Sequence, residues 1–436
     1  MDNPYQYSSW GNYPLLTPKS VERLSSFSPS LPAGRPLLPY GLGRSYGDVC
    51  LTDKGTLLDT RNLDHILAFD EERGIIRTQA GLSFAQLLEI IVPKGWFLPV
   101  SPGTKYVTVG GAVANDIHGK NHHVAGTFGC HVRAFELLRS TGERILCTPQ
   151  ENTELFSATI GGLGLTGLIL WVEFSLKRIE TPWIMTTAKR FRSLDEFFAL
   201  SQAAKDEEYT VAWLDTTARG KDFGRGVFMV GRHATKLEVG QRTLPRLLQV
   251  SVPCRAPSWF LNRWSLRTLN TAYYYAPLHK SKKHVVYYQP FFYPLDAILH
   301  WNRVYGKRGF LQYQFVLPPD EASVAVTRVL QRAQKEGLAS FVSVLKVCGD
   351  LLSPGLLSFP KPGVTLAIDV PFQGTRTLQA LTALDALVAS YGGRLYPAKD
   401  ARMSPEMFQA SYPRWKELER LRDPAFLSHF WQRVTT

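Results

Sequence analysis

Two glycine-rich segments in the first third of the chain constrain its fold more than any other feature. The first is Pro39-Tyr-Gly-Leu-Gly-Arg-Ser-Tyr-Gly-Asp48; the second runs from Val107 through Gly110 and Gly111 to His123. Glycines at 41, 43 and 47 are spaced too widely for a dinucleotide fingerprint, and no phosphate-loop lysine accompanies them. Around Arg44 and Ser45 they would expose successive backbone N–H groups, a nest able to hold a diphosphate without a helix dipole. Taken alone, that run is equally compatible with an ordinary loop. Gly110 and Gly111 allow close backbone approach, so two glycine loops flanking a small α/β unit could clamp a long diphosphate cofactor.

A third run, Gly162-Leu-Gly-Leu-Thr-Gly167, matches G-x-G-x-x-G in the wrong context. That motif must follow a strand and open a helix. Here a helix-like segment, Glu151–Ile160, precedes it and a strand-like run, Leu165–Leu176, follows, so the sequence predicts a close-packed turn. Strands are predicted at Gly55–Asp59 and Gly74–Ala80, and a helix at Ser83–Val92 ending at Pro93. Val132–Leu138 and Glu143–Cys147 read as a hairpin around Ser-Thr-Gly. Beyond Thr181 glycine thins and aromatics rise. Strand-like runs at Phe310–Leu317, Phe341–Val347 and Val364–Val370 alternate with helix-like runs at Glu321–Lys335 and Thr377–Tyr391, an α+β pattern.

Composition narrows the function classes. The 436 residues are 44% hydrophobic, enough for a large core and too apolar for a disordered chain. Five cysteines, widely spaced and without C-x-x-C, argue against a disulfide framework or structural zinc. Met1–Ser20 is polar, without the apolar core of a secretory signal, and no run of apolar residues reaches membrane-spanning length. A formal net charge of +13 favours acidic partners. Val239–Leu295 holds no Asp or Glu, but carries Arg242, Arg246, Arg255, Arg263, Arg267, Lys280, Lys282 and Lys283 among aromatics such as Trp259 and Trp264. Such a stretch suits nucleic acid or a bilayer surface. His118, His122, His123 and His131 cluster, yet no carboxylate–cysteine pattern completes a metal site.

The segments GLGRSYGD and PGTKYVTVGGAVANDIHGKNHH, taken with Gly162–Gly167, Gly309-Phe-Leu-Gln-Tyr-Gln-Phe315, Leu345-Lys346, Leu357-Ser-Phe-Pro360 and Gly392-Gly-Arg-Leu-Tyr-Pro-Ala-Lys-Asp400, resemble the vanillyl-alcohol-oxidase/PCMH flavoprotein superfamily. Within it they resemble the branch that oxidises polyprenyl-phosphoryl pentoses. The resemblance implies an α+β, two-domain PCMH-type FAD-binding fold: residues 1–181 bind FAD, 182–393 form a substrate domain on an antiparallel sheet, and 394–436 return to the FAD domain. It implies noncovalent FAD, because Arg44 stands where many members carry a flavin-linking histidine. The implied FAD lining is Pro39, Tyr40, Gly41, Leu42, Gly43, Arg44, Ser45, Tyr46, Gly47, Asp48, Val49, Gly103, Thr108, Val109, Gly110, Gly111, Asn115, Asp116, Ile117, His118, Ile169 and Tyr396.

The same resemblance implies that Lys399 meets the reacting hydroxyl and stabilises developing alkoxide charge, with His118 or a water taking the proton. Gln312, Gln314 and Lys346 would hold sugar or phosphate; the two glutamines, two apart, share one strand face. Mycobacterial members carry a cysteine where Ala367 stands. The implied substrate is a polyprenyl-phosphoryl-β-D-ribose, oxidised at C2′ as the first half of an epimerisation. An NADH-dependent short-chain reductase would complete it, and a quinone or oxygen would accept the electrons. A lipid substrate also favours peripheral membrane contact over nucleic acid for the basic stretch, with a cytoplasmic or membrane-associated location. A sugar or aldonolactone oxidase of the same superfamily is the alternative, and a nucleic-acid-binding protein a more distant one. No metal is expected.

Overall fold

In the computed structural model, which describes residues 6–25, 30–34, 36–257, 260–276 and 282–436, the expected element types form close to their expected places. Trp259 and Lys280 of the basic stretch lie outside the described residues. Ser83 caps the helix Phe84–Ile91 with a reciprocal capping box to Gln86, and Pro93 ends the regular helix. Val132–Leu138 and Arg144–Cys147 pair antiparallel. The G-x-G-x-x-G run is a turn between the helix Thr153–Thr159 and the strand Leu168–Ser175.

One expectation needs correction. The second glycine segment is not an open loop, because Val109–Ala114 is a short helix. Thr108 caps it by accepting from the Gly111 N–H, and the Gly110 N–H donates to the Ala80 carbonyl. Gly110 is required for packing: a Cβ there would meet Ala80 Cβ at 2.9 Å.

Strands Ser20–Arg23, Thr56–Asp59 and Leu37–Tyr40 form a small parallel sheet with Thr56–Asp59 central. Five antiparallel strands form a second sheet, ordered Ile66–Asp70, Ile75–Gln79, Leu168–Ser175, Val132–Leu138 and Arg144–Cys147. A third sheet is eight-stranded and antiparallel. Its order is His284–Tyr287, Trp183–Phe191, Gly226–His233, Tyr209–Leu214, Ser343–Cys348, Gly363–Pro371, Phe310–Leu317 and Arg394–Leu395.

Alternation gives the large sheet two different faces. Phe191, Leu214, Phe228, Leu311, Phe315, Leu345, Leu366 and Ile368 point to the back, where the helices Leu194–Ala203, Ala322–Lys335 and Thr375–Ser390 bury them in one core. Gln312, Gln314, Thr365, Ala367, Lys346, Val344, Val211 and Met229 belong to the opposite register and form the wall of a cavity.

The C-terminal helices Pro405–Ser411 and His429–Thr435 add Phe408, Phe430 and Trp431 to the back core. The His429–Thr435 helix also carries an ion cluster that ties the first glycine loop to the segment ending in Lys399 and Asp400. Arg433 Nη2 lies 2.8 Å from Asp48 Oδ1 and 3.0 Å from Asp400 Oδ2, and His429 Nδ1 lies 2.7 Å from Asp48 Oδ2. Burial pushes the Asp48 carboxyl up, but His429 and Arg433 outweigh it and hold it below the usual range. Removing one partner of a buried cluster strands the others. Arg433→Met is therefore expected to destabilise the fold by about 3–5 kcal/mol, read by chemical denaturation; a loss under about 1 kcal/mol, as for an exposed pair, contradicts this account.

Candidate active site

A cavity of about 780 Å³ opens between the first glycine loop, the Val109–Ala114 helix and the front of the large sheet. Pro39, Gly41, Leu42, Gly43, Arg44, Ser45, Tyr46, Val49, Gly103, Thr108, Gly110, Gly111, Asn115, Ile117, His118, Ile169 and Tyr396 all line it, as do Gln312, Gln314, Lys346, Ala367 and Lys399. Five expected residues stand behind the wall instead. The Tyr40 hydroxyl donates to the Ser8 carbonyl, and Asp48 is held in the Arg433 cluster. Gly47 sits where a Cβ would meet the Asp400 carbonyl oxygen at 1.7 Å. Val109 is buried in the core packed on the five-stranded sheet, and Asp116 receives the Gly129 N–H and the Ser353 and Ser358 hydroxyls. These residues shape the backbone of the wall without presenting a side chain to the cavity.

The first loop behaves as a nest. The N–H groups of Leu42, Gly43, Arg44 and Ser45 donate to no acceptor among the described residues. Gly43 has φ +60°, and a Cβ there would meet Tyr40 Oη at 2.2 Å. Arg44 is clasped: its Cζ is 4.0 Å from the Trp10 ring centre and 5.5 Å from that of Tyr106, while Nε donates to the Tyr106 carbonyl. Asn115 donates to the Gly111 carbonyl and leaves Oδ1 buried without a partner among the described residues. The expected clamp of two amide loops is thus one amide nest facing a capped helix, since the Gly110 and Gly111 N–H groups are already used.

The cavity is strongly basic. Lys346 Nζ lies 2.6 Å from His118 Nδ1 and donates to the Gly119 carbonyl at 2.5 Å. His118 Nε2 is 3.1 Å from the Gln314 amide. Burial, then the Lys346 charge, push the His118 imidazolium well below its usual range, so the ring is neutral at pH 7. A neutral imidazole carries one N–H. Lys346 takes the Nδ1 lone pair, which puts the proton on Nε2 and asks the Gln314 amide to meet it with its oxygen. Burial brings Lys346 and Lys120 each down to about 8. Lys120 Nζ donates to the Phe292 carbonyl, and Lys399 Nζ sits 3.9 Å from the Tyr46 ring centre. Among the described residues, none of these three lysines has a carboxylate within ion-pair distance.

Sequence reasoning missed Lys120, although it follows His118 by two residues, and the aromatic clasp on Arg44, whose partners are distant in sequence. It also missed Asp369, which is fully buried, stands opposite Gln312 in register and accepts from Gln312 Nε2 at 2.5 Å. A single carboxylate inside the apolar run Val364–Val370 was the available signal.

Comparison with known proteins decides the family. A family model described as an FAD binding domain matches residues 15–148. Decaprenylphosphoryl-β-D-ribose oxidase from Mycolicibacterium smegmatis is 37% identical over 407 residues, covering 90% of this chain and 87% of that protein. The chain belongs to this oxidase family. An uncharacterized protein from Streptomyces coelicolor is 34% identical across 78% of the chain and 95% of its own length. A Neurospora crassa protein named putative D-arabinono-1,4-lactone oxidase is similar over only 33% of the chain, at 27% identity.

As a member of the decaprenylphosphoryl-β-D-ribose oxidase family, this α+β flavoprotein is an oxidoreductase with FAD as cofactor. The residues fit that group. Four free amides and a clasped guanidinium suit its diphosphate and its electron-poor ring system, and the orphaned Asn115 Oδ1 offers an acceptor. With no histidine in the first loop, acid precipitation is expected to release all the flavin into the supernatant; flavin retained in the pellet contradicts a noncovalent site. Gly43→Ala forces Tyr40 or the loop to move, so FAD should bind at least about tenfold more weakly, measured by titration of the apoprotein.

Proposed function

We propose that this chain oxidises the 2′-hydroxyl of a polyprenyl-phosphoryl-β-D-ribose to the 2′-keto sugar, the first half of epimerisation to the arabinose form used in cell-envelope glycans. One observation carries this reading: the front face of the large sheet changes from polar to apolar along its strand order. Gln312 and Gln314, then Asp369 and Thr365, then Lys346 occupy three neighbouring strands. Val344 shares the Lys346 strand, and the next two strands across the face carry Val211 and Trp213, then Met229, with Tyr273 and Phe341 packed at the far end. An amphiphile whose sugar phosphate lies at one end and whose prenyl chain lies at the other matches that gradient. A free aldonolactone would leave the apolar half unused.

The side chains divide the work. Lys346 and Lys120 attract the phosphate, and their burial without carboxylates makes an anionic ligand the natural counter-charge. Gln312 and Gln314 orient the sugar hydroxyls. Lys399 donates to the 2′-oxygen and stabilises negative charge as the hydroxyl proton leaves. His118 is held at both ring nitrogens, so it fixes Lys346 and leaves the proton to water. Bound FAD supplies the two-electron acceptor for the hydride of the substrate carbon. An NADH-dependent reductase that completes the epimerisation, and a quinone or oxygen as final acceptor, belong to the same proposal. So does the division into an FAD unit, 1–181 with the returning 394–436, and a substrate unit, 182–393, the return also supplying Arg394–Leu395 to the large sheet and Phe408, Phe430 and Trp431 to its back core.

A lipid substrate requires access to a bilayer. Among the described residues no helix is long and apolar enough to cross one. The acid-free stretch supports peripheral contact instead: Leu244, Leu248, Val250 and Trp264 are exposed between its arginines.

The test is anaerobic bleaching of the flavin. Polyprenyl-phosphoryl ribose should reduce it, whereas ribose 5-phosphate and aldonolactones should not; equal bleaching by a lipid-free sugar would favour the lactone-oxidase reading. Lys399→Ala should retain flavin and slow reduction about 100-fold or more. Wild-type reduction rates in that variant remove the lysine from the chemistry.

A further inference from the structure

We propose that Trp10 is a positioning residue for the cofactor: its ring holds the Arg44 guanidinium in place, and the buried segment that carries it slows the release of FAD. This role stands on the FAD site described above and on nothing in the substrate reading.

Arg44 has little else to hold it. Nε donates to the Tyr106 carbonyl, while among the described residues the two Nη groups donate to no acceptor and no carboxylate lies within ion-pair distance. Its charge rests on two π faces instead, with Cζ 4.0 Å from the Trp10 ring centre and 5.5 Å from that of Tyr106. A guanidinium held over an indole keeps its Nη donors for a ligand. Trp10 and Arg44 both line the cavity.

The chain around Trp10 is fixed from both sides. Its N–H donates to the Ser45 carbonyl at 2.8 Å, and its own carbonyl accepts from Asn302 Nδ2 at 3.1 Å. The Trp301 ring meets the indole edge-on, with centroids 5.5 Å apart. One residue pair earlier the Tyr40 hydroxyl donates to the Ser8 carbonyl, and one residue later the Phe310 N–H donates to the Gly11 carbonyl. A Cβ on Gly11 would stand 2.5 Å from the Tyr46 carbonyl oxygen and 2.6 Å from that of Phe310, so no side chain fits there. Ser9, Gly11 and Asn12 are buried. This run spends its hydrogen bonds on the cofactor loop at 40–46 and on the segment 302–310, and so straps one to the other.

The indole does not serve a core. Tyr7 and Tyr13 pack against two hydrophobic clusters, whereas Trp10 joins none among the described residues. Its ring contacts are a cation and one aromatic edge. A ring that merely filled space could be replaced by any apolar side chain of similar bulk; a ring that holds Arg44 needs its π face.

The experiment uses the flavin-loaded full chain as wild type, Trp10→Phe, Trp10→Leu, Arg44→Met, and Trp10→Leu combined with Arg44→Met. FAD release is followed by timed dilution and ultrafiltration, and affinity by titration of the apoprotein. Trp10→Phe keeps a π face and should release FAD within about threefold of the wild-type rate, whereas Trp10→Leu should release it about tenfold faster or more. Arg44→Met should also release FAD faster. Adding Trp10→Leu to it should change the rate less than about threefold, because the ring then has no guanidinium to hold. Equal rates in the Phe and Leu variants, or two effects that multiply fully in the combined variant, overturn the proposal. Trp10→Met replaces Trp10→Leu if that chain does not fold. No substrate enters the measurement, so its outcome is independent of whether polyprenyl-phosphoryl ribose bleaches the flavin.

Discussion

The burial of unpaired positive charge is the constraint on which the rest of the molecule depends. Lys346 and Lys120 line one cavity, and among the described residues their hydrogen bonds go to carbonyls or to a neutral imidazole, with no carboxylate within ion-pair distance. Taking an ion out of water costs several kcal/mol when no opposite charge is near. A fold retains that cost when a ligand repays it. The large core behind the sheet supplies the stability that makes this possible, and the antiparallel register aims the polar side chains at one face while the apolar ones pack behind.

A second dependence follows from the glycine loop. Its amides are free because its neighbours approach too closely for side chains: Gly43 against Tyr40, and Gly47 against Asp400. The Tyr46 N–H donates to the Ala398 carbonyl, and Arg433 joins Asp48 to Asp400. The cofactor nest and the lysine segment are therefore one mechanical unit, although more than 350 residues separate Asp48 from Asp400 in sequence. A change that loosens the C-terminal helix reaches both the cofactor and the amine.

Much of this was legible in the sequence, and the reasons are local. Capping residues, Pro93 and strand alternation fixed the elements, and Gln312 and Gln314 announced their shared face by their spacing. Family resemblance brought together the glycine loop, His118 and Lys399, which composition alone cannot connect. What stayed hidden was set by tertiary register. Asp369 matters because it falls opposite Gln312, and a strand pairing is invisible in one segment. The Gly110–Gly111 pair misled because the same glycines that open a loop also let a capped helix pack on Ala80. Trp10, in a segment that reads as a polar tail, covers Arg44 because its N–H donates to the Ser45 carbonyl and its own carbonyl accepts from Asn302.

The polarity of the sheet face and the charge of the surface point to the same kind of ligand by separate routes. Inside, the gradient from glutamines and lysines to valine, tryptophan and methionine matches a molecule with a phosphorylated head and a hydrocarbon tail. Outside, the acid-free stretch presents exposed leucines among arginines. The helix Arg263–Tyr275 joins the two: Tyr273 packs on Trp213 at the apolar end of the cavity, while Trp264 on the same helix is exposed. A tail leaving the sugar site along the apolar strands would reach this helix before it reached water. The buried cluster of Asn270 with Asp215 and Arg225 pins the helix to the sheet at that point. On the proposed lipid reading, the path for the tail and the surface for the bilayer would be two sides of one anchored element.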